Sequence, residues 1–268
     1  MRKARSRISA PECRLGAVVL SRALSGEADL VVTFLTRELG LLTAVAKNAR
    51  LSRRRFGGGL LNPGRAAWYD FRIRPGSDLC LVARGENNPG FPLLPEHPVA
   101  LALGAWAVEL VRSLEAPRNP APRSFNLLVR HLVRLASCRH FQPPALPARR
   151  LSLGFTKCYL EAAGFGPSFK ACRRCGRQPQ REQWAWDPAL GAVYCPECRP
   201  GALETVPGEL IALLGQTETH LDAPPLTAPM MTLAESFLVR MASLAADRNF
   251  LSRRILAGLL LETPRPAP

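Results

Sequence analysis

Four cysteines stand in two pairs, Cys172-Arg173-Arg174-Cys175 and Cys195-Pro196-Glu197-Cys198, with residues 176–194 between them. A C-x2-C pair puts two thiols in one tight turn, and two such turns facing each other complete a tetrahedral sulfur set of the kind zinc takes. Gly176, directly after the first pair, relieves crowding where the turn exits. All four ligands come from the protein, which leaves no open position for an activated water. The expectation is one structural Zn2+ on Cys172, Cys175, Cys195 and Cys198. Disulfides, a redox C-x-x-C and unpaired core thiols are the competing readings. Disulfides conflict with the missing secretory signal pattern, and a redox pair needs no second pair at this distance. Cys13, Cys80, Cys138 and Cys158 have no such spacing and read as small core residues.

The second chemical feature is positive charge. Lys and Arg number 36 against 21 Asp and Glu, a formal net charge of +15 with a pI near 10.5, which attracts polyanions at long range. Between Glu38 and Asp70 there is no acid, yet Lys47, Arg50, Arg53, Arg54, Arg55 and Arg65 fall there, with Phe56-Gly57-Gly58-Gly59 directly after Arg55. A mobile glycine-rich loop with clustered arginines suits phosphates of single or double strands, with Phe56 as the adjacent stacking face. A merely solvated loop is the alternative; the missing acids favour nucleic acid. A second acid-free stretch, 116–160, carries Arg118, Arg123, Arg130, Arg134, Arg139, Arg149, Arg150 and Lys157. Arg123, Arg130 and Arg134 form a basic helical stripe, and Arg149 with Arg150 a second cluster. These suit DNA or an acidic partner peptide, and equally an ordinary wet helix face.

Catalytic patterns are missing. There is no Lys-x-Asp-Gly, no phosphate-binding G-x-x-x-x-G-K-S/T and no His-Glu-x-x-His, and His97, His131, His140 and His220 lie far apart in sequence. Glu27 and Asp29 are explained by a turn between strands. The expectation is a binding protein without enzymatic activity.

These residues need a scaffold, and the pattern predicts an α+β multidomain chain. Five short strands are expected over 15–86: Leu15 to Leu24, Leu30 to Thr36, Leu41 to Ala49, Ala66 to Arg74 and Asp78 to Arg84, with a turn at Pro75-Gly76. The fourth alternates, with Trp68, Asp70 and Arg72 on one face and Tyr69, Phe71 and Ile73 on the other, as a half-buried strand does. Five strands in this length suit an OB-type barrel or an SH3-like one. From Pro98 the spacing turns helical: Val99 to Leu114, then a helix from Arg123 with Phe125, Leu128, Val129, Leu132, Leu135 and Ala136 on one face. Helices from Leu151 to Ala163, Pro207 to Leu214 and Leu233 to Ala245 follow, and the tail 264–268 is expected to fray. The expected domains are a nucleic-acid-binding barrel over 1–86, a helical domain over 87–165, an inserted four-cysteine finger over 166–200, and C-terminal helices over 201–268 packing with the helical domain.

The basic start, residues 1–7, meets Glu12 and Arg14 before the hydrophobic core of a signal peptide forms. The longest uncharged apolar stretch, between Glu96 and Glu109, falls short of the about 20 residues a membrane helix needs. The expected location is the cytoplasm, with no membrane partner.

Several stretches together resemble one family. Gly16-Ala17-Val18-Val19-Leu20 through Gly26-Glu27-Ala28-Asp29-Leu30-Val31-Val32-Thr33, with Thr36 and Gly40, is similar to the amino-terminal OB domain of the RecO family of bacterial recombination proteins. Ala44-Val45-Ala46-Lys47-Asn48-Ala49-Arg50, followed by Arg55-Phe56-Gly57-Gly58, resembles its signature loop. Gly164-Phe165-Gly166-Pro167 leading into Cys172 and Cys175 resembles the approach to its zinc finger, and Leu251-Ser252-Arg253 a basic motif of its last helical region. Asn48 departs from the family's usual glycine, and Arg54 from its frequent serine beside a lysine. Asn tolerates left-handed backbone angles, and Arg keeps the loop basic. The resemblance implies an OB domain, a helical domain and a zinc segment. It also implies binding of single- and double-stranded DNA, strand annealing, and help to RecA in displacing single-stranded DNA-binding protein, with RecR as partner. The acidic, hydrophobic tail of that displaced protein is the partner peptide it suggests for the arginine stripe, with Arg253 among the possible contacts. An RNA- or ribosome-associated protein is the alternative, since basic barrels and zinc ribbons occur there too.

Overall fold

A computed structural model describes residues 12–73, 79–91, 93–166, 168–215 and 227–261. The turn expected at Pro75-Gly76, the tail 264–268, Pro167 and the basic start lie outside the described residues.

Alternating apolar residues build the first unit. Strands β1 (Glu12–Ser25), β2 (Asp29–Thr36), β3 (Gly40–Ala46), β4 (Ala66–Arg72) and β5 (Leu79–Glu86) close into a barrel in the order β1-β2-β3-β5-β4. Neighbours are antiparallel except β3 and β5, which pair in parallel from Thr43 to Val45. This Greek-key closure is that of an OB barrel, which decides between the two five-stranded expectations. Phe34, Tyr69 and Phe71 fill the interior, with Phe34 4.8 Å and 5.1 Å from the other two ring centroids. The Tyr69 hydroxyl donates to the Leu60 carbonyl at 2.5 Å, so the one polar tip in that cluster is satisfied.

The barrel's unit is not contiguous in the chain: residues 1–93 and 115–129 form one compact unit, 94–114 and 130–268 the other. Residues 117–121 run back along the β2–β3 turn. Arg118 N donates to Leu41 O at 3.1 Å, Ala121 N donates to Arg37 O at 3.2 Å, and Pro117 bridges Leu41. Gly40, at φ +61°, passes so near that a Cβ would sit 2.0 Å from the Asn119 carbonyl oxygen. Only glycine fits there.

The second unit contains α2 (Pro98–Leu114), α4 (Leu146–Ala162), α5 (Gly208–Gly215), α6 (Ala228–Ala246) and α7 (Leu251–Leu261). Helix α3 (Pro122–Ser137) begins among the residues of the first unit and ends among those of the second. It buries Phe125, Leu128, Leu132 and Leu135, the face its spacing predicts. Trp106 of α2 donates from Nε1 to Thr156 Oγ1 at 2.8 Å and meets Phe250 edge-on. Helix α7 starts on a carboxylate from elsewhere: Glu109 accepts from the amides of Leu251 at 3.2 Å and Ser252 at 3.0 Å, and from the Ser252 hydroxyl at 2.6 Å. Those are orphan donors of a helix N-terminus, where negative charge is favoured.

Candidate metal centre and nucleic-acid interface

Between the cysteine pairs and just after the second, the chain makes a small sheet in the order β7-β6-β8, from β6 (Gln183–Asp187), β7 (Ala192–Tyr194) and β8 (Glu204–Pro207). Trp184 and Trp186 are fully buried in it, and Trp186 lies 3.8 Å from the Phe237 ring centroid on α6. Strand β7 delivers Cys195 directly. The first turn is fastened beside it, with Arg173 N donating to Val193 O at 2.9 Å and Cys172 N to Arg177 O at 2.8 Å. Gly176 takes φ +75°, in the left-handed region that favours glycine. Arg177 then spans to the second turn, 3.3 Å from Glu197.

All four sulfurs, of Cys172, Cys175, Cys195 and Cys198, lie within 4.8 Å of one another, and Cys175 Sγ is 3.7 Å from Cys195 Sγ. A tetrahedron with metal–sulfur bonds of about 2.3 Å has edges of about 3.8 Å, so the spacing fits one ion. Burial works to raise Cys172, but hydrogen bonds from the surrounding backbone outweigh it and bring the thiol down to about 6. Its neighbours go the other way: Cys198, hydrogen-bonded to Cys195 and partly desolvated, is pushed up to about 12, and burial raises Cys195. One thiolate at this point works against ionising the others. Of the remaining cysteines, Cys80 is buried in the barrel, Cys13 packs against that core, and Cys138 packs on the helical core.

The basic segment after β3 is more ordered than its glycines suggest. Instead of a mobile loop it forms a helical turn, α1 (Arg53–Phe56), followed by tight turns closed by Leu60 N to Gly57 O and Asn62 N to Gly59 O. Asn48 takes φ 51°, a left-handed angle that asparagine tolerates where glycine is usual, and its backbone N–H donates to Asp29 Oδ1 at 2.7 Å. Lys47 pairs with Asp29 at 2.6 Å, and that hydrogen bond, with the Asn48 amide, holds the Asp29 carboxyl below its ordinary range. Arg50 Nη1 donates to Glu27 O at 2.7 Å, and Arg55 donates to Lys47 O at 2.7 Å and Ser52 Oγ at 3.0 Å. Arg53 and Arg54 are exposed and have no ion-pair or hydrogen-bond partner among the described residues. Lys47, Arg50, Arg53, Arg54 and Arg55 thus gather at one end of the barrel: three brace the turns, two point at solvent.

Three placements correct the sequence reading. Phe56 is not an open stacking platform; it is 7% exposed and belongs to the barrel core, with the Arg55 guanidinium 5.2 Å from its ring centroid. Arg149 and Arg253 are not surface contacts. Arg149 is 4% exposed and grips Glu235, and Arg253 reaches the same carboxylate at 3.1 Å while lying 5.0 Å from the Trp106 ring centroid. A buried carboxylate recruits cations inward, which a charge count along the chain does not register. Arg123 and Arg130 are exposed, and Arg134 and Arg150 half-buried.

Comparison with known proteins agrees with this architecture. The family described as Recombination protein O N terminal matches residues 11–87, and Recombination protein O C terminal matches residues 95–227. The DNA repair protein RecO of Anaeromyxobacter dehalogenans (strain 2CP-C) is 36% identical over 249 residues, 91% of this chain and 95% of that protein. The DNA repair protein RecO of Myxococcus xanthus (strain DK1622) is 37% identical over 199 residues, 74% of this chain and 78% of its own. That of Synechococcus sp. (strain JA-3-3Ab) is 30% identical over 276 residues, 95% of this chain and 89% of its own. No helix among the described residues is long and apolar enough to cross a membrane. With an OB barrel ahead of a helical unit that carries a four-cysteine cluster, and with both halves matched, the chain belongs to the Recombination protein O (RecO) family.

Proposed function

We propose that this protein is a DNA repair and recombination mediator: it binds single- and double-stranded DNA at the basic end of the barrel, anneals strands and, with RecR, helps RecA replace single-stranded DNA-binding protein. The observation that carries the reading is Arg53 and Arg54, unengaged at the barrel end and framed by Lys47, Arg50 and Arg55. Guanidinium groups in this setting contact phosphate and position a strand without reading its sequence. The protein is not an enzyme in this reading, and it works in the bacterial cytoplasm at the nucleoid. Cys172, Cys175, Cys195 and Cys198 hold one zinc ion, whose role is to close the finger's two turns against β6 and β7. The acidic, hydrophobic tail of single-stranded DNA-binding protein docks on the exposed stripe of Arg123 and Arg130 with Arg134, or beside Arg150.

The test is a salt titration of single- and double-stranded DNA binding with Arg50, Arg53, Arg54 and Arg55 all replaced by alanine. The log–log salt slope on single strands falls by about 2.1, at about 0.7 for each of the phosphate contacts of Arg50, Arg53 and Arg54. A folded quadruple variant with an unaltered slope removes the barrel end from the DNA site, and tighter binding of RNA by the wild type replaces the DNA reading with an RNA one. Charge reversal at Arg123, Arg130, Arg134 and Arg150 that leaves tail-peptide binding intact moves that site elsewhere.

A further inference from the structure

A pocket of about 520 Å3 opens at the basic end of the barrel. Leu30, Ala49, Phe56 and Leu61, all buried and part of the barrel core, line its floor, while the surface it presents is more polar than apolar. Its rim carries two cations, Arg22 and Arg50, both exposed. Arg50 spends Nη1 on the Glu27 carbonyl, which fixes the guanidinium at the mouth with further N–H groups to offer. Leu24, also on the rim, is 68% exposed. Asp29 beside it is taken up by Lys47, so the nearby anionic charge left on this hairpin is Glu27.

A recess with apolar residues beneath a partly polar lining and two cations at the lip, in the size range of about 300–1,000 Å3 typical of ligand sites, suits a flat ring with polar edges joined to an anion. A nucleotide is that combination. The pocket also adjoins the segment bearing Arg53 and Arg54, so a strand lying on those arginines passes its mouth.

We propose that this pocket accepts one unstacked base of a single strand, held between Leu24 and the pocket floor, with its flanking phosphates on Arg22 and Arg50. The inference rests on the DNA-binding reading and adds selectivity to it. A base in a duplex has to unpair and unstack before it can enter, so the pocket contributes to single-strand binding and leaves duplex binding to the surface arginines. Phe56 contributes as part of the pocket floor rather than as an exposed platform.

The test compares three probes of equal length, oligo(dT), an abasic deoxyribose-phosphate tract and a blunt duplex, on wild type and on Ala23→Trp. Ala23 is exposed and lines the pocket, so a larger side chain there fills the cavity from its rim. Wild type is expected to bind oligo(dT) at least about fivefold more tightly than the abasic tract, the low end for one base in van der Waals contact. Ala23→Trp abolishes that difference and leaves duplex affinity and the salt slope unchanged. Equal wild-type affinity for oligo(dT) and the abasic tract overturns the pocket, and so does an Ala23→Trp variant that keeps the difference. Should Ala23→Trp lose duplex binding as well, the wild-type comparison alone decides. Failure of the underlying DNA reading looks different, because then none of the three probes binds with a salt-dependent affinity. Oligo(U) bound more tightly than oligo(dT) overturns the assignment to DNA.

Discussion

Arg149 meets Glu235 side-on, with Nε on Oε1 at 3.1 Å and Nη2 on Oε2 at 3.0 Å, and both residues are inside the protein. Two further donors of Arg149 go to Thr232 Oγ1 at 2.9 Å and Pro144 O at 3.3 Å. Arg253 shares the same carboxylate, so one buried anion serves two cations. Glu235→Leu therefore strands two charges, whereas Arg149→Leu leaves a balanced pair. Breaking a buried ion pair costs about 3–5 kcal/mol. Urea denaturation is expected to place Glu235→Leu at or beyond that range and Arg149→Leu below it. The reverse order would mean that the carboxylate is not what holds the two arginines.

The basic segment divides into residues that face DNA and residues that hold it in place. Arg53→Ala with Arg54→Ala shrinks the single-strand salt slope by about 1.4, at about 0.7 per contact, and leaves thermal stability unchanged. Arg55→Ala removes hydrogen bonds to Lys47 O and Ser52 Oγ and destabilises the barrel by about 1 kcal/mol. Thermal melts beside the titrations separate the two effects.

Elemental analysis of reduced protein finds about one zinc per chain, since four thiolates make one closed site. Cys175→Ser removes a ligand and opens the turns around β6 and β7. Hydrogen exchange then loses protection at the amides of Arg173, Gly176 and Cys198, while the barrel strands keep theirs. Protection unchanged at those amides would mean that the sheet holds the turns without metal.

His131 stacks on Phe155 at 4.6 Å, and burial, reinforced by Arg134, holds its imidazole down to about 3 against an ordinary 6.5. Between those values the unfolded chain binds a proton that the folded one refuses, so stability rises with pH. The contribution is fully present above pH 6.5 and is lost as pH falls toward 3. His131→Leu is expected to unfold less steeply with acid in that window, by up to about 1.4 kcal/mol per pH unit. Parallel pH profiles for variant and wild type would place the histidine in contact with water.

The barrel could be read from its residues because period-2 alternation is local: Tyr69 and Phe71 face in, Trp68 and Arg72 out, as the pattern at 68–72 requires. The sulfur cluster could be read for the same reason, since two short spacings define it. What escaped depends on partners distant in sequence. Strands β6 to β8 are only three to five residues each and are held by packing of Trp186 on Phe237. Helix α7 starts on Glu109, and α4 begins at Leu146 rather than at Leu151 because Pro147 is tolerated in a first turn. The glycines after Phe56 suggest mobility, yet Phe56 anchors the turn by entering the core. The pocket beside it combines residues from β1, β2 and the segment after β3, which no spacing rule brings together.

The strap at 117–121 makes the barrel hard to excise. A fragment ending after residue 93 would lose the partners of the Arg37 and Leu41 carbonyls and the Asn119 contact at Gly40, uncovering a strand edge of the kind that pairs with other chains. Such a fragment would tend to self-associate. A portable barrel would have to be sewn differently, with a designed linker carrying the chain from residue 93 straight to 115, so that the strap travels with the strands it closes.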